Sequence, residues 1–254
     1  MNDWFTIEPL DKDTYAISEY RHWEETHCYL LLGTSSALLI DTGLGVSNIK
    51  EEVDKLTDLP ITVATTHAHW DHIGGHGLFG SIAVHRLERN WLAEKFPIPL
   101  AAVKGSLLQK ACDFPPDFSP NAYQIFQGEP QLLLEDGTEF DLGNRIIQTI
   151  YTPGHSPGHC CFYEPERQYL FSGDLLYRGC LYAFYPTTDP LLFYQSVQKV
   201  NRRPVSRLFP GHHDLEIPVR LAEEIEEGFS SLECQDKLKQ GNGLFDFGSF
   251  QIHI

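Results

Sequence analysis

A run of four metal-binding residue types, His67, His69, Asp71 and His72, stands in Thr66-His67-Ala68-His69-Trp70-Asp71-His72, directly after the β-branched stretch Ile61 to Thr66. Residues two apart in an extended segment project to the same side, so His67 and His69 point together from the strand end. A turn beginning near Trp70 carries Asp71 and His72 round toward a second, neighbouring point. Neutral imidazoles and carboxylates are the usual ligands of zinc and similar divalent ions. Four residues cannot close two metal sites, and three more candidates stand at strand ends. They are His155 in Thr152-Pro153-Gly154-His155-Ser156-Pro157-Gly158, Asp174 in Phe171-Ser172-Gly173-Asp174, and His212 in Phe209-Pro210-Gly211-His212. Each shows a strand, then glycine, then a ligand-type side chain, which is the pattern of loops carrying ligands to a common rim. The set contains no cysteine, unlike the Cys-rich closed tetrahedra of structural zinc sites. The remaining histidines, His22, His27, His76, His85, His159, His213 and His253, read as surface or hydrogen-bonding residues, His213 being set apart by its adjacency to His212.

The elements that must position these residues follow from periodicity. Short strands are expected over Trp4 to Glu8, Thr14 to Glu19, His27 to Leu32 and Ala37 to Asp41. Ser47 opens an amphipathic helix to Leu56, with Ile49, Val53 and Leu56 on one face. Residues 86–130 break the strand rhythm, with helices near Leu87 to Lys95 and Leu100 to Ala111 and a Pro/Phe-rich connection from Phe114 to Pro120. This segment reads as an insertion over one end of the core. Strands resume at Gln131 to Leu134, Glu139 to Leu142, Arg145 to Thr152, His159 to Tyr163 and Gln168 to Ser172. A helix over Pro190 to Asn201, a strand over Ser206 to Phe209 and a long acidic helix follow. In that last helix Val219, Ala222, Ile225, Phe229 and Leu232 share a face, and Glu223, Glu224, Glu226 and Glu227 lie mostly off it as a solvated surface.

Composition bounds the rest. The 254 residues carry 35 acidic and 19 basic side chains, a formal charge of −16, which disfavours a nucleic-acid partner. Length and the absence of repeats or linkers predict one domain, 1–254. No apolar run is long enough to cross a bilayer, and Met1 to Glu8 has neither the basic nor the apolar region of a secretory signal. Six cysteines without C-x-x-C spacing read as reduced residues of a cytoplasmic protein.

With its His-x-His-x-Asp-His run, then a separate His155, Asp174 and His212 in order, and an early Asp41-Thr42-Gly43 turn, the sequence resembles the metallo-β-lactamase-fold hydrolase superfamily over most of its length. The resemblance implies an α/β fold of the four-layer αββα kind, two mixed sheets with outer helices. It also implies a dinuclear site in which His67, His69 and His155 bind one ion, Asp71, His72 and His212 bind the other, and Asp174 bridges them. Asp41 is then expected to support the ligand loops without touching metal. Some members that open lactones or cleave acyl thioesters are similar in placing a tyrosine where Tyr177 stands, and its phenol could donate to an oxyanion.

Two divalent ions, zinc first with manganese or iron also suited, would lower the pKa of a shared water and hold a hydroxide ready to attack a carbonyl. Asp71 would orient that hydroxide. The expected activity is hydrolysis of a small ester, thioester or lactone. Mononuclear iron sulfur dioxygenase chemistry and glutathione-thioester hydrolysis of the glyoxalase II kind are the alternatives. The aromatic residues Tyr182, Phe184, Tyr185, Phe193 and Tyr194, with Phe114, Phe118, Tyr123 and Phe126 from the insertion, could wall an acyl pocket or simply pack the core. The expected partner is a small-molecule substrate, with no nucleic acid or membrane and a homodimer left open.

Overall fold

The apolar pattern of the first forty residues forms antiparallel strands. They are β1 (Thr6–Asp11), β2 (Thr14–Ser18), β3 (His27–Leu32) and β4 (Ala37–Ile40). The computed structural model describes residues 4–254, so Met1, Asn2 and Asp3, part of the stretch inspected for a secretory signal, lie outside it. From β4 onward the sheet turns parallel, through helix α1 (Ile49–Leu56), β5 (Ile61–Ala64), the single turn α2 (Trp70–Ile73) and β6 (Ile82–His85). Helices α3 (Arg89–Ala93) and α4 (Leu100–Leu107) occupy the predicted insertion before β7 (Leu132–Leu134) closes a seven-stranded mixed sheet in sequence order. α1 is capped one residue later than expected: the Asn48 side chain, not Ser47, accepts from Lys50 N–H.

These residues, up to Leu134 with Asp141–Asn144, make one compact unit; Glu135–Phe140 and Arg145–Ile254 make the other. The second unit holds a five-stranded sheet in the order β13-β11-β10-β9-β8. Its strands are β8 (Glu139–Asp141), β9 (Ile146–Tyr151), β10 (Cys160–Glu164), β11 (Tyr169–Gly173) and, further along the chain, β13 (Arg207–Pro210). A small sheet that periodicity did not reveal joins β12 (Cys180–Tyr182), β15 (Gln251–His253) and β14 (Leu244–Asp246). Its strands are three residues each, too short to show alternation. Helices α5 (Pro190–Asn201) and α6 (Arg220–Cys234) complete this unit. α6 buries Leu221, Ala222, Ile225, Phe229 and Leu232 and leaves Glu223 and Glu227 exposed, while Val219 falls at its N-cap and not on its buried face.

Each unit has its own apolar core. The first packs Ile17, Leu30, Leu39, Val53, Val63 and Val84 among others, and the second Phe193, Val197, Ile225, Phe229 and Ile252. Full burial of such a side chain contributes ~2 kcal/mol over exposure. No helix among the described residues is long and apolar enough to cross a membrane.

Candidate metal centre

In the first unit the candidate residues leave the carboxyl ends of neighbouring parallel strands. Asp41 follows β4, and the run from His67 follows β5 after two intervening residues. Loops at the carboxyl ends of parallel strands are where open α/β sheets place ligand sites. His67, Asp71 and His72 are buried, and His69 is half-buried. The ring of His67 lies 4.4 Å from that of His69 and 4.2 Å from that of His72, centre to centre.

One buried carboxylate sets two of these rings. Asp41 Oδ1 accepts from Thr66 N–H at 2.7 Å, and Oδ2 accepts from the Thr66 hydroxyl at 2.6 Å and from His72 Nδ1 at 2.8 Å. The hydroxyl, having donated its proton to Asp41, accepts from His67 Nδ1 at 3.0 Å. Both imidazoles therefore carry their proton on Nδ1 and keep a lone pair on Nε2, the tautomer a metal ligand requires. His72 Nε2 stands 3.8 Å from Asp71 Oδ2. These hydrogen bonds are the support of the ligand loops that the sequence expectation gave to Asp41.

Three further side chains brace the same run: Glu88 and Glu19, which the sequence did not single out, and His76, read there as a surface or hydrogen-bonding residue. Glu88, fully buried at the start of α3, accepts from Ala68 N–H at 2.6 Å, the one amide between His67 and His69. His76 spans the Thr42 and Thr65 hydroxyls at 2.7 and 2.8 Å, and burial pushes its pKa down to about 3, so it is neutral there. Glu19 accepts from the Trp4 indole at 2.7 Å and from Leu44 N–H at 2.8 Å. Burial lifts its carboxyl to about 7 against those two donors, and the nearby Asp71 charge adds to the rise. The turn it holds is tight: Gly43 has φ +70°, and a Cβ there would meet Glu19 Oε2 at 2.1 Å. A lone Glu after a strand has no motif around it, so only the folded chain reveals the role.

The second unit assembles its candidates differently. β9 and β11 are each antiparallel to β10, and β11 is parallel to β13, so β9, β11 and β13 run the same way. His155, Asp174 and His212 thus all leave the same end of one sheet. Asp174 is the hinge of the group, with His155 Nε2 3.3 Å from its Oδ2 and His212 Nε2 3.2 Å from its Oδ1. His155 Nδ1 stands 3.3 Å from the Tyr182 carbonyl, which can only accept, so Nδ1 bears the proton and Nε2 turns a lone pair to the carboxylate. Two electron-rich atoms facing each other at that separation call for a cation beside them, which is the chemistry of a ligand set. The donor types and this tautomer fit a divalent ion in both units.

His159, read as a surface or hydrogen-bonding residue, stands just before β10 at this same sheet end. Its Nε2 accepts from Asp174 N–H at 3.1 Å, while Nδ1 pairs with the Thr152 hydroxyl at 2.9 Å. It holds the backbone from which Asp174 projects. Gly154, φ +134°, lets the His155 loop pass α5: a Cβ there would sit 2.2 Å from Phe193 N.

Tyr177 is buried, 5.7 Å ring to ring from His212, and its hydroxyl donates to the Cys180 carbonyl. A phenol has one proton, and here it is engaged. The aromatic set divides. Phe193 and Tyr194 belong to the second core, stacked on Phe229. Tyr123 is buried in the first, with Phe114, Phe118 and Phe126 packed against that core. Tyr182, Phe184 and Tyr185 gather with His253, the Phe184 and His253 rings 3.9 Å apart.

Residues 22–212 match the Metallo-beta-lactamase superfamily. A bovine (Bos taurus) protein named acyl-coenzyme A thioesterase MBLAC2 is 28% identical over 229 residues, 83% of this chain and 81% of that one. The probable polyketide biosynthesis zinc-dependent hydrolase BaeB of Bacillus velezensis is 25% identical over 249 residues, covering 92% and 97%. The solved structure of a metallo-beta-lactamase family protein from Thermus thermophilus aligns with TM-score 0.68 and 24% identity, covering 89% of this chain and 82% of that one.

Proposed function

The chain belongs to the metallo-beta-lactamase superfamily, and on that premise we propose that it is a metal-dependent hydrolase of small acyl thioesters, with two divalent ions held jointly by the candidates of its two units. In this reading His67, His69 and His155 share one ion, Asp71, His72 and His212 share the second, and Asp174 serves both. The observation that carries it is the preset donor geometry: Nε2 lone pairs fixed by Asp41 in one unit, and a carboxylate flanked on both oxygens by imidazoles in the other. Zinc is the first choice of metal, supported by the zinc dependence named for BaeB. The thioester class is favoured over ester and lactone by the activity named for MBLAC2. All six cysteines are free, which suits a reducing, cytoplasmic setting.

Divalent ions at this site supply Lewis acidity toward a carbonyl oxygen and a water acidified toward neutrality. The chain's own residues do the rest. Asp71 accepts a hydrogen bond from the attacking water and orients it. Asp41 keeps His67 and His72 in the binding tautomer throughout. Tyr177 contributes to oxyanion stabilisation only by turning its single proton away from Cys180.

The test is a panel of acyl thioesters, esters and lactones given to the zinc-reconstituted protein before and after chelation. Thioester hydrolysis lost with the metal and restored by added zinc is the expected result. Turnover that survives chelation, or a chain holding one iron that consumes oxygen on sulfur substrates, would discard the reading.

A further inference from the structure

Trp91 is an aromatic residue of the insertion that stands beside His69 of the ligand run. On α3, three residues after Glu88, its indole lies nearly parallel to the His69 imidazole, the planes 7° apart and the ring centres 6.2 Å apart. His69 is also the one ligand candidate of its unit that keeps partial solvent exposure, whereas His67, Asp71 and His72 are buried. Within this cluster the solvent-facing side is therefore that of His69. Trp91 is half-buried too, so part of the indole surface is open on the same unit.

The indole is not a loosely held surface group. The next residue, Leu92, is fully buried in the first core. The Trp91 carbonyl accepts from Gln127 Nε2 at 2.8 Å, and the Leu92 carbonyl accepts from Gly128 N–H at 2.9 Å. Glu88, at the head of the same helix, is tied to the amide between His67 and His69 at 2.6 Å. One short helix thus braces the ligand run with its N-cap residue and presents a large apolar face beside that run with its third residue.

We propose that Trp91 is a specificity-determining residue: its indole forms an apolar wall for the acyl chain of the substrate, so the enzyme favours acyl groups of medium length over acetyl. This rests on the hydrolase reading above and deepens it. A wall on one side of the chain is worth roughly twofold per methylene, about half of what full burial gives.

The experiment compares wild type, Trp91→Ala and Trp91→Phe, each zinc-reconstituted, on S-acetyl, S-butanoyl, S-hexanoyl and S-octanoyl N-acetylcysteamine. Zinc content is measured on the same samples. In wild type, kcat/KM should climb with chain length. Trp91→Ala should flatten that climb, losing about sixtyfold on octanoyl, at twofold for each of its six added methylenes, and less than about twofold on acetyl, with zinc unchanged. Trp91→Phe should keep most of it. An unchanged length dependence in Trp91→Ala, or an equal loss on every chain, overturns the proposal. A second arm does not depend on turnover: octanoate and acetate are titrated calorimetrically into the same three zinc-loaded proteins. Octanoate should bind wild type more tightly than acetate, and the difference should shrink in Trp91→Ala. If wild type hydrolyses no thioester yet shows this difference, the function reading fails and the role of Trp91 stands. If octanoate binds no better than acetate, the role of Trp91 falls.

Discussion

The two units reach the same donor chemistry by opposite routes. In the first, four candidates lie within six residues, and their geometry comes from a strand end, one helical turn and a buried carboxylate, Asp41. In the second, three candidates lie far apart in sequence, and the direction of β9, β11 and β13 brings them to one sheet end around Asp174. A contiguous set is sensitive to its hydrogen-bonded bracing, and a dispersed set to strand register and to the shared carboxylate.

That contrast can be broken most directly at the ligands themselves. Asp174→Asn and His67→Ala should each lower kcat/KM by at least about a thousandfold. If Asp174 serves both ions, Asp174→Asn should empty more of the protein's metal than His67→Ala does, as read by elemental analysis. Equal metal loss in the two variants would remove the special place given to Asp174.

The next effect is in the bracing. Asp41→Asn should weaken metal binding by about 10- to 100-fold in a chelator competition, since an amide cannot accept from Thr66 and His72 as the carboxylate does. Glu88→Ala leaves the buried Ala68 N–H without its acceptor, at a cost of about 1–3 kcal/mol in denaturant unfolding. His159→Ala should weaken metal binding by less than Asp41→Asn, because it holds one backbone amide of Asp174 and no ligand ring. If His159→Ala proves the more damaging, the dispersed set depends on local bracing as much as the contiguous one.

A smaller effect separates the units by pH. His76 ionises near 6.5 when unfolded and only at about 3 when folded. Its stabilising contribution is complete above pH 6.5 and is lost progressively as the pH falls toward 3. His76→Gln, which cannot titrate, should therefore show a shallower fall in Tm from pH 7 to pH 5 than wild type. The smallest effect is expected at Tyr177→Phe. With its proton on Cys180, loss of the hydroxyl should reduce kcat by no more than about tenfold with metal content intact; a larger loss would mean the phenol turns to the substrate.

The contiguous set was legible in the sequence because spacing alone states it: His67 and His69 share a strand face, and Asp71 and His72 follow a turn. The dispersed set was legible as glycine-preceded residues after apolar strands. The fold class followed from the resemblance that these motifs carry, and several element boundaries from periodicity, with the first-unit strands β3 and β4 and the helix α5 within a residue of expectation. What could not be read was tertiary: the bonds from Glu88 to Ala68, His159 to Asp174 and Glu19 to Leu44 each join residues 15 to 25 apart through single side chains that follow no pattern. The strands β12, β14 and β15 were missed because a three-residue strand has no period to detect.

The most direct test of the joint site is metal stoichiometry measured on the sample whose thioester hydrolysis is being assayed, for wild type, His72→Ala and His212→Ala. Two divalent ions per chain in wild type are expected, with both variants losing the same ion and most of the activity, although their altered residues belong to different units. One ion per chain in wild type, or full metal and full activity after His212→Ala, would contradict a site built from both.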